Sequence, residues 1–182
     1  MKERYIWHEE DFPTDGEIAQ IQAVLLTADG RVLTRIKNGE ARLSGGTPEL
    51  EDTDIEETLR REVLEEANAE IDQISYLGYQ EAICDVDGEE EIALQTRVVA
   101  RVTEILPAQP DPDSNGVWTY GRELLPRAEA MVAYEKSFGE IGRILIDLAY
   151  ARAEELGYFT EEMSEKSESI NPEVRDQNVR IR

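Results

Sequence analysis

The chain has 182 residues, of which 40% are hydrophobic, so its length and composition suit one domain with a single core. Its 41 acidic residues outnumber 19 Lys and Arg, and the net charge of −22 argues against passive binding to nucleic acid or to anionic membranes. A polyphosphate ligand stays open, provided that metal cations lie between it and the protein. The single cysteine excludes an internal disulfide. Without an apolar leader or an apolar run of ~18 residues, we expect a cytoplasmic protein that does not enter a membrane.

The first part of the chain is predicted to form short strands joined by tight turns. Asp29-Gly30 and Asn38-Gly39 are strong turn dipeptides, because both of their residues tolerate positive φ. The alternation of apolar and polar residues between them predicts a hairpin. The predicted strands cover residues 17–27, 31–36 and 41–43, and the last of them runs into the glycine pair Gly45-Gly46.

One helix is predicted over residues 54–67. Its buried stripe recurs every four residues and consists of Ile55, Leu59 and Val63. Two capping boxes can begin the helix, Asp54 with Glu57 or Thr53 with Glu56. We expect the helix to end at Asn68, because Asn adopts the left-handed conformation that closes a helix more readily than other non-glycine residues.

The second part of the chain predicts a long hairpin, a loop and a terminal helix. The predicted elements are strands over 74–84 and 92–102 around an acidic turn at 85–91, a loop over 107–116, a strand over 116–120, a helix over 137–156 and a polar, flexible tail over 161–182. Residues 1–160 then form one α/β (α+β) domain, with helices on two sides of the sheet. The apolar face of the terminal helix, from Phe138 to Leu148, allows a homodimer without requiring one.

Three carboxylates lie on one face of the predicted helix. Glu62, Glu65 and Glu66 stand at positions i, i+3 and i+4, where like charges repel each other by ~0.2–0.5 kcal/mol per pair. A divalent cation converts that repulsion into coordination, and an all-oxygen ligand set favours Mg²⁺, Mn²⁺ or Ca²⁺. The alternative is a solvated acidic helix face, which is common in so acidic a chain.

The glycine pair upstream of this helix separates the two interpretations. From Gly45 onward the sequence resembles the Nudix box, G-x5-E-x7-R-E-U-x-E-E-x-G-U with U apolar, and residues 61–66 match R-E-U-x-E-E at every specified position. Three departures are present. Thr53 stands where the first Glu is expected, the loop after Gly46 is one residue longer, and Asn68 replaces the last Gly. Asp52 lies near the same position and is a candidate substitute for the missing Glu.

The resemblance implies a Nudix-like α/β/α sandwich with a mixed β-sheet, the Nudix loop-helix and a C-terminal helix. It also implies hydrolysis of a phosphoanhydride bond with Mg²⁺ or Mn²⁺, in a nucleoside diphosphate linked to another moiety. By position in the motif, Glu62, Glu65, Glu66 and the carbonyl of Gly45 are the implied metal ligands. Glu62 or Glu65 is the implied general base. Arg61 is implied to orient the carboxylates, paired with Glu57 or with Asp52.

Substrate contacts are less specified by the sequence. Candidates are Arg35 for phosphate, Trp118 for a base and Glu91 for an additional carboxylate near the metal, but each also fits an ordinary surface or core position. ADP-ribose, sugar nucleotides, nucleoside triphosphates and dinucleotides all stay open as substrates. A Nudix-fold nucleotide-binding or sensor protein with little or no turnover is the alternative function, and the missing first Glu motivates it.

Overall fold

The computed structural model describes residues 4–9, 12, 18–86, 89–110 and 121–160. Within these ranges the chain forms eight strands and three helices. In chain order they are β1 (Arg4–His8), β2 (Ile18–Leu26), β3 (Arg31–Lys37), β4 (Glu40–Arg42), β5 (Ser44–Gly46), α1 (Ile55–Ala67), β6 (Ala69–Val86), β7 (Glu89–Ile105), β8 (Gly121–Pro126), α2 (Arg127–Phe138) and α3 (Glu140–Glu155).

The strands form one mixed sheet. Its main path runs β1-β6-β7-β2-β3-β4, while β5 pairs with β2 and β8 pairs with β3. The β2–β7 pair is parallel, and the other described pairs are antiparallel. The β6–β7 hairpin is longer than predicted and begins directly after α1, so it ties the end of that helix to the centre of the sheet.

Helices cover both faces of this sheet, and each face has its own core. On one side α1 buries its predicted stripe against β2 and β7, with the buried residues Leu59, Val63, Ala67, Ile21, Ala23, Leu25, Val98 and Ala100. On the other side α2 and α3 pack over the sheet, with the buried residues Tyr134, Leu145, Ile146, Ala149, Tyr150, Val24, Leu26 and Val99. The predicted three-layer α/β/α architecture is confirmed.

The two turn dipeptides form as predicted. Gly30 has a φ of 73° and donates its N–H to Thr27 O at 2.9 Å, which closes the β2–β3 hairpin. Asn38 and Gly39 both have positive φ, 55° and 77°, as a type I′ turn requires.

Both predicted ends of α1 are also present. Asp54 is the N-cap and accepts a hydrogen bond from the Glu57 N–H at 2.8 Å. The Glu57 carboxylate reaches back to Thr53, accepting from its N–H and its hydroxyl at 2.6 Å each. Asn68 closes the helix in the left-handed conformation, with φ 46° and ψ 56°.

Several sequence-based boundaries were wrong. The strands β1 and β8 and the helix α2 were not predicted, and the terminal helix begins at Glu140 rather than at 137, because Gly139 (φ 67°) separates α3 from α2. The strand predicted over 116–120 lies outside the described residues, as does the tail over 161–182. None of the described helices is long and apolar enough to span a membrane.

The apolar face predicted for the terminal helix is used inside the molecule. Leu145 is buried in the core, and Phe138, Ile141 and Leu148 pack against the same cluster. The homodimer stays a prediction. The use of this face inside the molecule gives it no support.

Candidate active site

The glycine pair brings the backbone of β5 against α1. Gly45 pairs with Gln22 of β2 and has a φ of 140°, and a Cβ there would lie 2.1 Å from Ile21 O. A Cβ on Gly46 would lie 2.2 Å from Glu62 Oε1. Gly45 must therefore be glycine, because its neighbour there is backbone, whereas at Gly46 a larger residue would displace the Glu62 carboxylate.

Glu66 lies between this glycine backbone and the sheet. Its Oε2 accepts the N–H of Gly45 at 3.1 Å, and its Oε1 is in an ion pair with Arg35 Nη1. Arg35 also donates to Leu43 O at 3.2 Å. The side chains of Arg35 and Glu66 are only 10% and 12% exposed, so this is a nearly buried ion pair between β3 and α1.

Arg61 lies at the centre of the acidic loop-helix junction. It pairs with Asp52 through Nε at 3.2 Å and Nη2 at 3.1 Å, in the two-pronged geometry that suits guanidinium and carboxylate. Its Nη1 is 3.0 Å from Glu62 Oε1 and 3.5 Å from Glu65 Oε2. The Arg of the motif therefore contacts two of the three candidate metal carboxylates. The hydrogen bonds to Asp52, and after them the bond to Glu62, raise the pKa of Arg61 above its usual range.

Asp52 occupies the role left open by Thr53. Besides Arg61, it accepts a hydrogen bond from the Thr58 hydroxyl at 2.8 Å and from the Glu49 N–H at 2.9 Å. Arg61 first, then the Glu49 N–H and the Thr58 hydroxyl, hold the pKa of Asp52 well below its usual range. Of the two partners proposed for Arg61, the structure selects Asp52, since Glu57 is engaged with Thr53.

The donor atoms here are carboxylate oxygens, the type that a hard divalent cation prefers. Glu62 lies directly against Gly46 and Glu66 against the N–H of Gly45, so two carboxylates converge on one stretch of backbone. Glu65 follows on the same helix face and is 26% exposed. Within the described ranges, no three Asp, Glu, His or Cys side chains converge tightly enough to form a ready-made metal cluster. Arginines contact all three carboxylates instead, Arg35 at Glu66 and Arg61 at Glu62 and Glu65.

The residues predicted for substrate contact lie in different places. Arg35, expected at a strand end, is 9% exposed and adjoins Glu66. Glu91 is exposed on β7, opposite Cys84 of β6. Further along β7, Thr96 pairs with Ile21 of β2, and Ile21 pairs on its other side with Gly46. Glu91 is five residues from Thr96. That separation is about 16 Å along the strand. Trp118 lies outside the described residues.

The contact between Arg35 and Glu66 was missed by the sequence prediction, although one signal for it exists. Alternation along β3 places Leu33 and Arg35 on the same face, and Leu33 belongs to the core beneath α1. A cation on that face needs a buried anion, and the nearby helix supplies one.

Comparison with known proteins gives one family and one fold. The NUDIX domain family matches residues 13–139. No curated protein sequence matches the chain. Among solved structures, a mutant of the Bacillus subtilis pyrophosphohydrolase BsRppH is similar at a TM-score of 0.60 and 20% identity, over 86% of this chain and 98% of that one.

Two further structures share this fold. The NUDIX domain of Shewanella oneidensis NrtR, complexed with ADP ribose, has a TM-score of 0.53 and 17% identity, over 78% of this chain and 94% of that one. A NUDIX hydrolase from Nitrosomonas europaea has a TM-score of 0.52 and 17% identity, over 72% of this chain and 87% of that one. At these identities the structural likeness extends to the fold alone.

Proposed function

The chain belongs to the Nudix family, and we propose that it is a divalent-metal-dependent pyrophosphohydrolase acting on a nucleoside diphosphate linked to another moiety. The observation that carries the proposal is the convergence of Glu62 and Glu66 on the Gly45-Gly46 backbone. Carboxylate oxygens are the ligands that Mg²⁺ or Mn²⁺ prefers, and these two side chains are the ones that the family motif assigns to such a cation.

In the proposed reaction, Glu62, Glu65, Glu66 and the carbonyl of Gly45 hold the cation. When bound, the cation neutralises phosphate oxygens and lowers the pKa of water. Water attacks one phosphorus of the anhydride, the P–O bond to the bridging oxygen breaks, and Glu62 or Glu65 accepts the proton of the water. Arg61 keeps these two carboxylates in place through its anchor on Asp52.

The test is turnover of a substrate panel with Mg²⁺ or Mn²⁺. The panel contains ADP-ribose, sugar nucleotides, nucleoside triphosphates and dinucleotides, and phosphate is measured after a phosphatase treatment. We expect at least one compound to be hydrolysed, and Glu66→Gln to lower the rate by at least ~100-fold, because a metal ligand that stabilises transition-state charge supplies several kcal/mol.

The matched control is Glu56→Gln on the same helix. Glu56 is exposed and pairs with Arg60 at 3.2 Å, away from the glycine backbone, so the same change of charge is expected to leave the rate within about twofold. Circular dichroism and urea unfolding show whether Glu66→Gln stays folded. Wild-type rates in Glu66→Gln would refute the proposed site.

A nucleotide-binding or sensor protein is the second candidate. The nearly buried Arg35–Glu66 ion pair favours it, because that pair engages the carboxylate that the motif assigns to metal. Metal-dependent nucleotide binding without hydrolysis of any panel compound supports this candidate and contradicts the enzyme.

A further inference from the structure

Three arginines stand side by side across the sheet next to α1. Register pairs Arg35 of β3 with Arg42 of β4 on one side and with Arg122 of β8 on the other. Like charges directly opposite each other on neighbouring strands are destabilising. Each of the three arginines therefore needs a carboxylate or carbonyl partner that offsets this repulsion.

The outer two have structural partners. Arg122 donates to Ala67 O at 2.8 Å, to Asn68 O at 3.2 Å and to Leu106 O at 2.7 Å, so its charge lies at the C-terminus of α1, where the helix dipole favours a cation. Arg42 pairs with Glu40 at 2.5 Å in a partly exposed position.

The central arginine is paired with a candidate metal ligand. Both oxygens of Glu66 are engaged, Oε1 by Arg35 and Oε2 by the N–H of Gly45. The additional bond from Arg35 to Leu43 O anchors the guanidinium on the strand side. A cation that binds Glu66 must therefore compete with a charge that is already held in place.

We propose that Arg35 is the built-in counter-ion of Glu66 and competes with the divalent cation for that carboxylate. The inference rests on the metal site of the proposed function and adds a residue that weakens metal binding. Without metal, Arg35 neutralises Glu66 where an unpaired charge would be costly, since the pair is nearly buried. When a metal binds, Glu66 exchanges the guanidinium of Arg35 for the metal cation. The measured metal affinity is therefore the difference between the free energies of the two pairings. Arg35 is thus a positioning residue that sets the metal concentration at which the site fills.

The experiment measures binding of Mn²⁺ alone, by calorimetry and by electron paramagnetic resonance of free Mn²⁺, in the full-length chain. Arg35→Gln removes the competing charge and keeps a side-chain donor for Leu43 O. We expect it to bind Mn²⁺ at least ~10-fold more tightly than wild type. Arg35→Lys keeps a charge but loses the forked geometry that serves both partners, so it is expected to lie between the two.

Arg42→Gln is the matched control. It makes the same change of charge one strand away, so any general gain in attraction for cations appears in it as well. We expect its Mn²⁺ affinity to stay within about threefold of wild type. Equal or weaker Mn²⁺ binding by Arg35→Gln, or an equal gain in Arg42→Gln, overturns the proposal.

The midpoint of thermal unfolding, Tm, gives a second readout. The gain in Tm on addition of Mn²⁺ can be compared even when Arg35→Gln is less stable than wild type. Mn²⁺ is expected to raise the Tm of Arg35→Gln more than that of wild type, because ligand binding to the folded state stabilises more as the affinity rises. A smaller Tm gain in Arg35→Gln contradicts the proposal. Absence of Mn²⁺ binding in all variants contradicts the metal site itself, whereas binding that is unchanged by Arg35→Gln contradicts only the role of Arg35.

Discussion

At the scale of single residues, Asp52 shows how a departure from a motif is compensated. The Nudix pattern expects a Glu at the position of Thr53, and the loop here is one residue longer. Asp52 supplies a shorter carboxylate one position earlier, and it holds Arg61 by two hydrogen bonds. Held in this way, Arg61 contacts both Glu62 and Glu65.

The lowered pKa of Asp52 predicts a stability that depends on pH. A carboxyl group whose pKa is lower in the folded state stabilises the fold fully above its unfolded pKa of about 3.9, and the contribution is lost as the pH falls through the folded pKa. Asp52→Asn is therefore expected to lower the Tm at pH 7, and the gap to wild type is expected to narrow below about pH 4. Thermal melts between about pH 7 and pH 2.5 measure this gap.

The exposed neighbour Glu51 is the control for Asp52. Glu51→Gln makes the same change of charge one residue away, and we expect a small Tm difference without the same narrowing at low pH. A gap for Asp52→Asn that stays constant down to the lowest pH would show that its charge is not what stabilises the loop.

At the scale of elements, α1 is fixed at both ends by side chains. Its C-terminal residue Asn68 does more than adopt a left-handed conformation. Its Nδ2 donates to Leu64 O at 3.0 Å, and its Oδ1 accepts the N–H of Gln109 at 2.8 Å. The second bond joins the end of α1 to the segment after β7, which glycine at this motif position cannot do.

Asn68→Gly, which restores the consensus glycine, is therefore expected to destabilise the protein. Asn38→Gly is the matched exchange, since Asn38 also has positive φ and lies in an exposed turn. Both exchanges share the backbone effect of glycine, so their difference isolates the side-chain bonds of Asn68. Two hydrogen bonds at ~0.5–1.5 kcal/mol each predict that Asn68→Gly costs about 1–3 kcal/mol more than Asn38→Gly in urea unfolding. Equal costs would show that Asn68 acts through its backbone alone.

Elements with local signals were predictable, and elements stabilised by distant contacts were not. The stripe of α1, its Asp54 cap and the Asn-Gly and Asp-Gly turns are encoded within a few residues. By contrast, β1 pairs with the far end of β6, where Arg4 lies opposite Ile83. Its Tyr5, Ile6 and Trp7 favour a strand, but so short a run without alternation does not identify one. Similarly, α2 buries only Ala130 and Tyr134, which is too weak a periodic pattern to predict a helix.

The candidate site divides in the same way. The three carboxylates and Arg61 share one helix, so their spacing alone placed them on one face. The ion pair between Arg35 and Glu66 joins residues 31 positions apart, and it depends on the placement of β3 beside α1. Helical periodicity carries no information about such a contact.

At the scale of the whole molecule, the excess of acidic residues is not uniform in its effect. The net charge of −22 repels phosphate, yet the candidate site pairs its carboxylates with two arginines. One of these, Arg61, is anchored by Asp52, and the other, Arg35, is nearly buried. The acidic surface and the site therefore follow different electrostatic rules, because the site charges are compensated locally and screened little by salt.

The C-terminal boundary of the domain is the last feature at this scale. Tyr158 is 2% exposed and its hydroxyl donates to Gln73 O, while Phe159 stacks on Tyr150 and the Thr160 N–H donates to Ala28 O at 3.0 Å. These contacts join the segment after α3 to the β6 strand and to the β2–β3 turn. Residues 158–160 therefore belong to the packed fold beyond the end of α3, and a domain boundary at residue 160 stays a prediction.

Two truncations test whether the domain ends at residue 160 or at the end of α3. A chain of residues 1–160 keeps Tyr158 and is expected to melt within ~2 °C of the full-length protein. A chain of residues 1–157 loses a buried aromatic side chain worth ~3–5 kcal/mol, which predicts a Tm lower by roughly 10 °C in a protein of this size. Tyr158→Ala in the full-length chain is expected to reproduce most of that loss. If the 1–160 chain melts as early as the 1–157 chain, the residues beyond 160 stabilise the fold and the domain boundary lies further along the chain.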